Sequence, residues 1–388
     1  MNKTRISIII PVYNGANTIN RCITSLKEQT LKECEFIFVD DGSSDNTVEK
    51  FKELTKEDHR FSIIKMGRRT DPFQARKRGI LNSSGEYIMF LDADDRFIPT
   101  ACEIAYKTIT EKKVDAVLFG SEPIATKNIS QDKLDAYKNY LKFENKIQGL
   151  YRTKEECHNL YFTSTGFGFA TSLAKKIFAS NILKVAINNV DSKLYLGYGQ
   201  DLYQLIATMP YINSLYADNS LVLHEYFWGD GVTQGDVCSL SLEKYKRIIS
   251  SHNTYIAIEE YLKKADLTET HKAYALQFAK KTLLHSAQKH LCYISDIYMP
   301  TGIYMLKNAW GEEYLQNFPN VGEHLLSRLR TFILNNPAVS DVTKEDIIKW
   351  IPKLIKKKKV KEKTKPTKKQ TKNIVINKLK NIINKFGF

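Results

Sequence analysis

The first 120 residues alternate short apolar runs with segments whose apolar positions recur at helical spacing. Residues 6–12 are mostly isoleucine and valine, which predicts a strand buried on both faces. The pattern repeats, with predicted strands at 35–39, 61–66, 87–91 and 114–119 and predicted helices at 17–30, from Ser44 or Asp45 onward, at 72–81 and at 99–110. Helices that connect strands in this way imply mainly parallel pairing. We therefore predict an α/β fold with a Rossmann-like central sheet flanked by helices.

Changes of pattern along the chain predict three regions. The α/β domain is expected at residues 1–235, with a regular half at 1–120 and a mixed half at 121–235. Residues 236–350 are predicted to be mostly helical. The segment 351–388 begins as a lysine-rich, low-complexity linker, a composition typical of disorder.

Nearly all of the net charge lies near the C-terminal end. The chain has a formal charge of +15, but the residues from Lys349 to Phe388 contain 15 lysines and one acidic residue, which leaves +1 for residues 1–348. The lysine-rich run contains no aromatic residues that would stack on bases. We therefore expect no nucleic-acid partner.

Six scattered cysteines form no Cys-x-x-Cys pair, which argues against a zinc site and a disulfide framework. We expect buried free thiols in a reducing cytoplasm. The sequence contains no run of about 18 apolar residues that would span a bilayer.

Acidic residues follow two of the predicted strands. Asp92 and Asp94 leave the strand at 87–91 two positions apart, so both carboxylates can turn toward one Mg²⁺ or Mn²⁺ ion. Asp40 and Asp41 end the strand at 35–39, where a carboxylate can accept hydrogen bonds from a base or a ribose. Carboxyl ends of parallel strands share one edge of a sheet, where ligands bind. Acidic turns with helix-capping residues are the alternative interpretation.

Three segments together carry a family resemblance. They read SIIIPVYNG, FIFVDDGSSDNT and ARKRGILNSSGEYIMFLDADD, in that order and at that spacing. The chain closely resembles the nucleotide-binding half of family 2 glycosyltransferases over residues 4–120, and the resemblance becomes thin beyond residue 235. It implies the GT-A fold, a nucleotide-diphospho-sugar donor, a divalent metal and inversion at the anomeric carbon. A UDP-sugar is the donor that the resemblance favours.

The resemblance implies roles for the residues at the strand ends. Pro11, Tyr13 and Asp41 are expected to hold the nucleoside, with Asp40 a lesser candidate. The Tyr13 ring would stack on the base, although an ordinary aromatic residue at a strand end is the alternative. Arg76 is expected near the nucleotide or its diphosphate.

The metal and the catalytic base are implied in the same way. Asp92 would face the ribose and the metal, and Asp94 would be the main ligand of Mn²⁺ or Mg²⁺. The family commonly carries a Glu-Asp pair that supplies the base, and Asp201 lies at the matching place. Gln200 stands where glutamate is usual, which puts one contact, to the acceptor or to the helix dipole, in doubt and leaves the aspartate in place. A simple helix cap is the alternative for Asp201.

Two further candidates lie in the aromatic segment that follows the base. His224 is predicted to complete the metal shell or to touch the leaving diphosphate, with plain packing as the alternative. Trp228 is a candidate platform for a sugar ring of the acceptor.

The end of the chain predicts membrane attachment. The segment NIVINKLKNIINKFGF places five apolar residues on one helical face behind the polybasic linker: Val375, Leu379, Ile382, Ile383 and Phe386. A basic amphipathic helix of this kind is typical of peripheral binding to anionic lipid, here at the inner face of the cell membrane. A solvated tail and a helix that docks on a protein partner are the alternatives.

These observations predict an inverting glycosyltransferase that acts on a saccharide or lipid-linked saccharide in bacterial surface glycan synthesis. A nucleotidyltransferase is one alternative, but such enzymes usually need a basic, glycine-rich loop after the first strand, and here that turn reads NGANT. A catalytically degenerate scaffold in a glycan assembly complex is the other.

Overall fold

A computed structural model describes residues 3–126, 131–132, 134–135, 138, 148–162, 171–190, 193–228, 240–291, 293–295 and 298–311. By their contacts the described residues fall into two compact units: those between 3 and 228 with 250–283, and 240–249 with those between 284 and 311. The helical residues 250–283 thus group with the first unit. The regions predicted from the sequence, divided at residue 235, stay a prediction.

Parallel strands form the first half of the sheet, as the sequence predicted. They are β1 (Ile6–Val12), β2 (Cys34–Asp40), β3 (Phe61–Lys65) and β4 (Tyr87–Phe90), in the spatial order β3-β2-β1-β4. The register sets Val12 opposite Asp40, so the carboxyl ends of β1 and β2 lie side by side. Strands β1, β2 and β4 are mostly buried between helices, whereas the edge strand β3 is only half-buried.

The helices of this half begin and end close to the predicted positions. They are α1 (Ile19–Lys27), α2 (Thr47–Thr55), α3 (Pro72–Asn82) and α4 (Ala101–Lys112). Asp71 caps α3, since its Oδ1 accepts a hydrogen bond from the Gln74 amide at 3.0 Å. Cys22, Cys34, Cys102 and Cys157 are buried, as predicted, and Cys238 and Cys292 lie outside the described residues.

The second half of the sheet is mixed. Its strands are β5 (Arg96–Phe97), β6 (Ala116–Ala125), β7 (Gln148–Tyr151), β8 (Lys176–Ala179) and β9 (Leu215–Trp228). The short strand β8 inserts antiparallel between β4 and β6, while β9 pairs parallel with β6 and antiparallel with β5 and β7. An irregular register between Phe119 and Ser121 bends the β6–β9 ladder.

The remaining described helices follow in chain order. They are α5 (Lys154–Phe162), α6 (Ser180–Asn188), α7 (Gln200–Thr208), α8 (Leu242–Ile249), α9 (Ser251–Lys264), α10 (Glu269–Leu291) and α11 (Met299–Trp310). Helix α7 packs on α3 through the rings of Tyr203 and Phe73, whose centroids lie 5.1 Å apart. Within the ranges given above, no helix has the length and apolar character needed to cross a bilayer.

Candidate active site

The carboxyl ends of β1 and β2 hold the residues predicted to bind the nucleoside. The Oδ1 atom of Asp41 accepts hydrogen bonds from the amide and the hydroxyl of Thr70, at 2.7 and 2.5 Å. Burial raises the pKa of Asp41, although both Thr70 contacts act in the opposite direction. Asp40 is buried too, and its Oδ1 accepts a hydrogen bond from the Ser43 amide at 3.1 Å. Asp41 is therefore the carboxylate fixed to the neighbouring loop.

Tyr13 lies at the same edge and has a partner that the sequence reasoning missed. The Arg69 guanidinium lies 4.1 Å from the centroid of the Tyr13 ring, a cation–π contact. Pro11 lies opposite Val39 in the β1–β2 ladder and is half-buried. The structure therefore brings Pro11, Tyr13 and Asp41 to one sheet edge, with Arg69 over the ring.

Gly42 allows the loop at residues 68–71 to approach Asp41. It has a φ of +78°, and a Cβ at this position would lie 2.6 Å from the Arg69 amide nitrogen and 2.7 Å from the Arg68 carbonyl carbon. Only glycine tolerates both the left-handed backbone and the close approach.

Arg76 joins two acidic residues that lie 109 positions apart in the chain. Its guanidinium forms ion pairs with Asp201 (Nη1 to Oδ1, 2.6 Å) and with Asp92 (Nη2 to Oδ1, 3.3 Å). The Arg76 side chain is only 3% exposed, whereas those of Asp201 and Asp92 are 23% and 43% exposed. The two carboxylates therefore share one buried cation at an edge that solvent and ligands can reach.

Residues 92–95 form an acidic turn after β4, called here the DADD turn, and the pKa values of its Asp92 and Asp94 are raised. Partial loss of hydration raises the pKa of Asp92 to about 6, with Asp201 and Asp95 adding to the rise and Arg76 opposing it. Burial and the neighbouring Asp95 and Asp92 raise the pKa of Asp94 to about 7. Crowded carboxylates of this kind gain from a nearby cation, because it favours their charged forms.

Asp201 lies in the first turn of α7. Gly199, with a φ of +79°, occupies the cap position, so Asp201 is not the helix cap of the alternative interpretation. The Asp201 Oδ2 atom accepts a hydrogen bond from the Leu173 amide at 3.4 Å, while Oδ1 faces Arg76. The buried Oε1 atom of Gln200, at the usual glutamate position, accepts no hydrogen bond from the described residues.

His224 contacts the last residue of the DADD turn, Asp95. Its Nε2 is 3.1 Å from Asp95 Oδ2 and its Nδ1 is 2.9 Å from the Ser121 hydroxyl, so both ring nitrogens have protein partners. The side chain is only 3% exposed. These contacts favour a supporting position over a place in the metal shell, and the predicted ligand role stays a prediction.

Trp228 ends β9 opposite Ala125 and is half-buried. Its carbonyl accepts a hydrogen bond from the Thr126 amide at 3.0 Å. Residues 229–239, which follow it in the sequence, lie outside the described residues, and the acceptor role of Trp228 stays a prediction.

The fold and the site together define the class. The sheet has a parallel first half with an acidic turn after β4, and Arg76 pairs this turn with Asp201. Residues 7–178 match the family model described as glycosyl transferase family 2. Residues 7–178, a little less than half of the chain, are thus similar to glycosyltransferase family 2.

Curated relatives are bacterial. Glycosyltransferase GlyA of Streptococcus pneumoniae serotype 4 is 32% identical over 222 residues, which is 55% of this chain and 30% of the relative. The putative glycosyltransferase EpsH of Bacillus subtilis is 32% identical over 182 residues, which is 43% of this chain and 52% of the relative. The chain thus spans about half or less of the length of these relatives.

A solved structure has a similar fold. A crystal structure of S. aureus TarS 1-349 aligns with 89% of this chain and 88% of that chain, with a TM-score of 0.54 and 18% identity. At this identity the likeness shows the fold alone, and it confirms the predicted GT-A architecture.

Proposed function

We propose that the chain is an inverting, metal-dependent glycosyltransferase that moves a sugar from a UDP-sugar to a saccharide or lipid-linked saccharide in bacterial glycan synthesis. The observation that carries the proposal is the ion pairing of Arg76 with both Asp92 and Asp201. It sets a candidate base beside the acidic turn of the donor site. The family match and the bacterial relatives support the same reaction class.

The donor nucleoside is assigned to the β1–β2 edge. Asp41 and the Tyr13 ring lie there with Arg69 and Thr70, which offers carboxylate acceptors, an aromatic face and a cation. The fold neighbour TarS has a crystal structure in complex with UDP-GlcNAc, which supports a UDP-sugar as the first donor class to test.

A divalent cation is assigned to Asp92 and Asp94. No group of three or more His, Cys, Asp or Glu side chains in the described parts of the chain is arranged to hold a metal ion. Proteins commonly hold Mg²⁺ with one or two carboxylates together with substrate phosphates. The pair of Asp92 and Asp94 therefore fits a cation that is shared with a diphosphate. The raised pKa values of both carboxyls are the sign of an anionic site that favours a cation. When bound, such an ion neutralises negative charge on the leaving diphosphate.

Asp201 is assigned as the general base. The acceptor oxygen attacks the anomeric carbon in line as the bond to the diphosphate breaks, and the hydroxyl proton passes to Asp201. Before this step, Arg76 and the Leu173 amide orient the two carboxylate oxygens. The charged Arg76 is also suitably placed to stabilise the diphosphate.

A panel of nucleotide sugars with Mn²⁺ and saccharide acceptors tests the reaction class. Release of UDP together with a glycoside supports the proposal, whereas release of inorganic diphosphate from a parallel mixture of nucleoside triphosphate and sugar 1-phosphate would identify a nucleotidyltransferase. A folded protein that binds UDP-sugars without turning any of them over would be a scaffold.

Asp201→Asn tests the base. We expect kcat to fall at least about a hundredfold while UDP affinity stays near the wild-type value, because the base acts on the acceptor. Asp94→Ala should lower both, since it removes a cation ligand. Asp266→Asn is the control, as this 91% exposed carboxylate pairs with Lys154. Near-normal turnover by Asp201→Asn would rule out the assignment.

The C-terminal tail is assigned to an anionic membrane surface. Residues 351–388 lie outside the described residues, so only their composition supports this assignment. The assignment places the enzyme in the cytoplasm at the inner face of the membrane.

A further inference from the structure

Arg21 of α1 forms hydrogen bonds to the main chain of the DADD turn. Arg21 donates two hydrogen bonds to the main-chain carbonyl of Asp94: one from Nε at 2.8 Å and a second from Nη2. A guanidinium fork on a single carbonyl fixes both the position and the direction of that peptide, and its charge strengthens each bond.

Phe227 of β9 holds Arg21 in place. The Arg21 guanidinium lies 4.0 Å from the centroid of the Phe227 ring, and the Phe227 amide donates to Asp95 Oδ1 at 2.8 Å. His224 contacts the other oxygen of Asp95 at 3.1 Å. The DADD turn is thus anchored at two successive residues, by Arg21 at Asp94 and by β9 at Asp95.

We propose that Arg21 is a positioning residue that sets the affinity of the DADD turn for a divalent cation and a nucleoside diphosphate. The inference rests on the function proposed above. Asp92 and Asp94 lie on a turn, and a turn needs outside support to hold two carboxylates at one coordination geometry. Arg21 gives this support through the backbone and leaves both carboxylates available to a cation.

Arg96 is the matched control. It also faces the Phe227 ring, at 5.5 Å, and it pairs with Glu225. Arg21 and Arg96 line the same open cleft of about 350 Å³ beside α1 and β5. Both arginines therefore contact the Phe227 ring and line the same cleft. They differ in their polar partners, since Arg21 donates to the Asp94 carbonyl and Arg96 pairs with Glu225.

Arg21→Met, Arg21→Lys and Arg96→Met in the full chain test the inference. Mn²⁺ binding is measured by electron paramagnetic resonance with and without UDP, and thermal unfolding checks the fold. We expect Arg21→Met to weaken Mn²⁺ binding in the presence of UDP about tenfold or more, as is common when support of a metal ligand is lost. The Mn²⁺ affinity of Arg21→Lys should lie between those of Arg21→Met and the wild type, because an ammonium group keeps the charge but cannot donate two hydrogen bonds in the geometry of a guanidinium. Arg96→Met should bind as the wild type does.

Chemical rescue separates positioning from stability. In Arg21→Ala, millimolar guanidinium can enter through the cleft, so it should restore part of the Mn²⁺ affinity and leave Arg96→Ala unchanged. Wild-type Mn²⁺ affinity in Arg21→Met, or equal rescue of both alanine variants, would overturn the role of Arg21 and leave the proposed function standing. Failure of the wild-type protein to bind Mn²⁺ with UDP would overturn the proposed function as well.

Discussion

At the scale of single residues, Arg76 organises the site. A guanidinium that is 3% exposed needs negative partners, because a buried charge without them is costly. Asp92 and Asp201 supply these partners, and each of them keeps exposed area for a ligand. The sequence predicted all three residues, but not that the same arginine would touch both carboxylates.

The sequence could not predict the supporting contacts. Arg21 and Asp94 lie 73 positions apart, and Arg69 and Tyr13 lie 56 positions apart. Neither arginine occurs in a motif that names its partner, so only the folded chain shows the pairing. Asp95 is visible in the DADD motif, but its role in binding β9 is not.

Asp94→Asn should stabilise the metal-free protein while it removes activity. The pKa of Asp94 is raised from its ordinary value of 3.8 to about 7, so the folded state binds the proton more tightly than the unfolded state does. The free energy of unfolding therefore falls as the pH rises from about 4 to about 7. Removing the charge should recover roughly 1 kcal/mol at about pH 8, after allowance for solvent screening.

Thermal unfolding in excess chelator at about pH 5 and about pH 8 measures this effect. The gain should be larger at about pH 8 than at about pH 5, and Asp266→Asn should show none. A loss of stability in Asp94→Asn at the higher pH would mean that the carboxylate is stabilised in the fold.

At the scale of elements, the sequence predicted the strands of the first half of the sheet better than those of the second half. Long apolar runs identified β1 and β2 to within about one residue, because strands buried on both faces need such runs. The two-residue strand β5 and the four-residue strand β8 carry no periodicity that a pattern can reveal. Their pairing depends on β9 and on the neighbours that the fold supplies.

The turn after β2 gives a test at this scale. Gly42→Ala should lower the free energy of unfolding by about 2–4 kcal/mol and weaken UDP binding, because a Cβ would push the loop at residues 68–71 away from Asp41. Gly67 has a similar φ of +74°, but a Cβ there would meet nothing within 4 Å, so Gly67→Ala should cost only about 1 kcal/mol. Chemical denaturation and UDP titration of both variants measure the difference. Equal costs would show that the close approach is unimportant.

At the scale of the whole molecule, charge and catalysis separate along the chain. The described site lies in the first unit, whereas the residues from Lys349 to Phe388 hold +14 of the net charge. Composition alone predicted this separation. Pattern and composition do not define the sugar or the acceptor, because these depend on side chains that line a cleft from several elements.

Deletion of residues 352–388 should abolish binding to anionic vesicles and leave hydrolysis of a soluble UDP-sugar unchanged. Each lysine near such a surface contributes about 1 kcal/mol, so the full chain should bind at low salt and dissociate at high salt. Vesicle sedimentation with phosphatidylserine-containing and neutral lipids checks this. Equal sedimentation of the full and shortened chains would assign membrane binding to another part of the protein or exclude it.

The pairing of Arg76 with Asp201 has a kinetic consequence. In the ligand-free protein Oδ1 of Asp201 faces Arg76 at 2.6 Å, so an acceptor that arrived first would compete with the guanidinium. A diphosphate draws Arg76 toward itself and leaves that oxygen open. The two substrates should therefore add in a compulsory order, nucleotide sugar first, and UDP should leave last. Product inhibition by UDP that is competitive against the nucleotide sugar and mixed against the acceptor is the expected pattern, and random addition would contradict it.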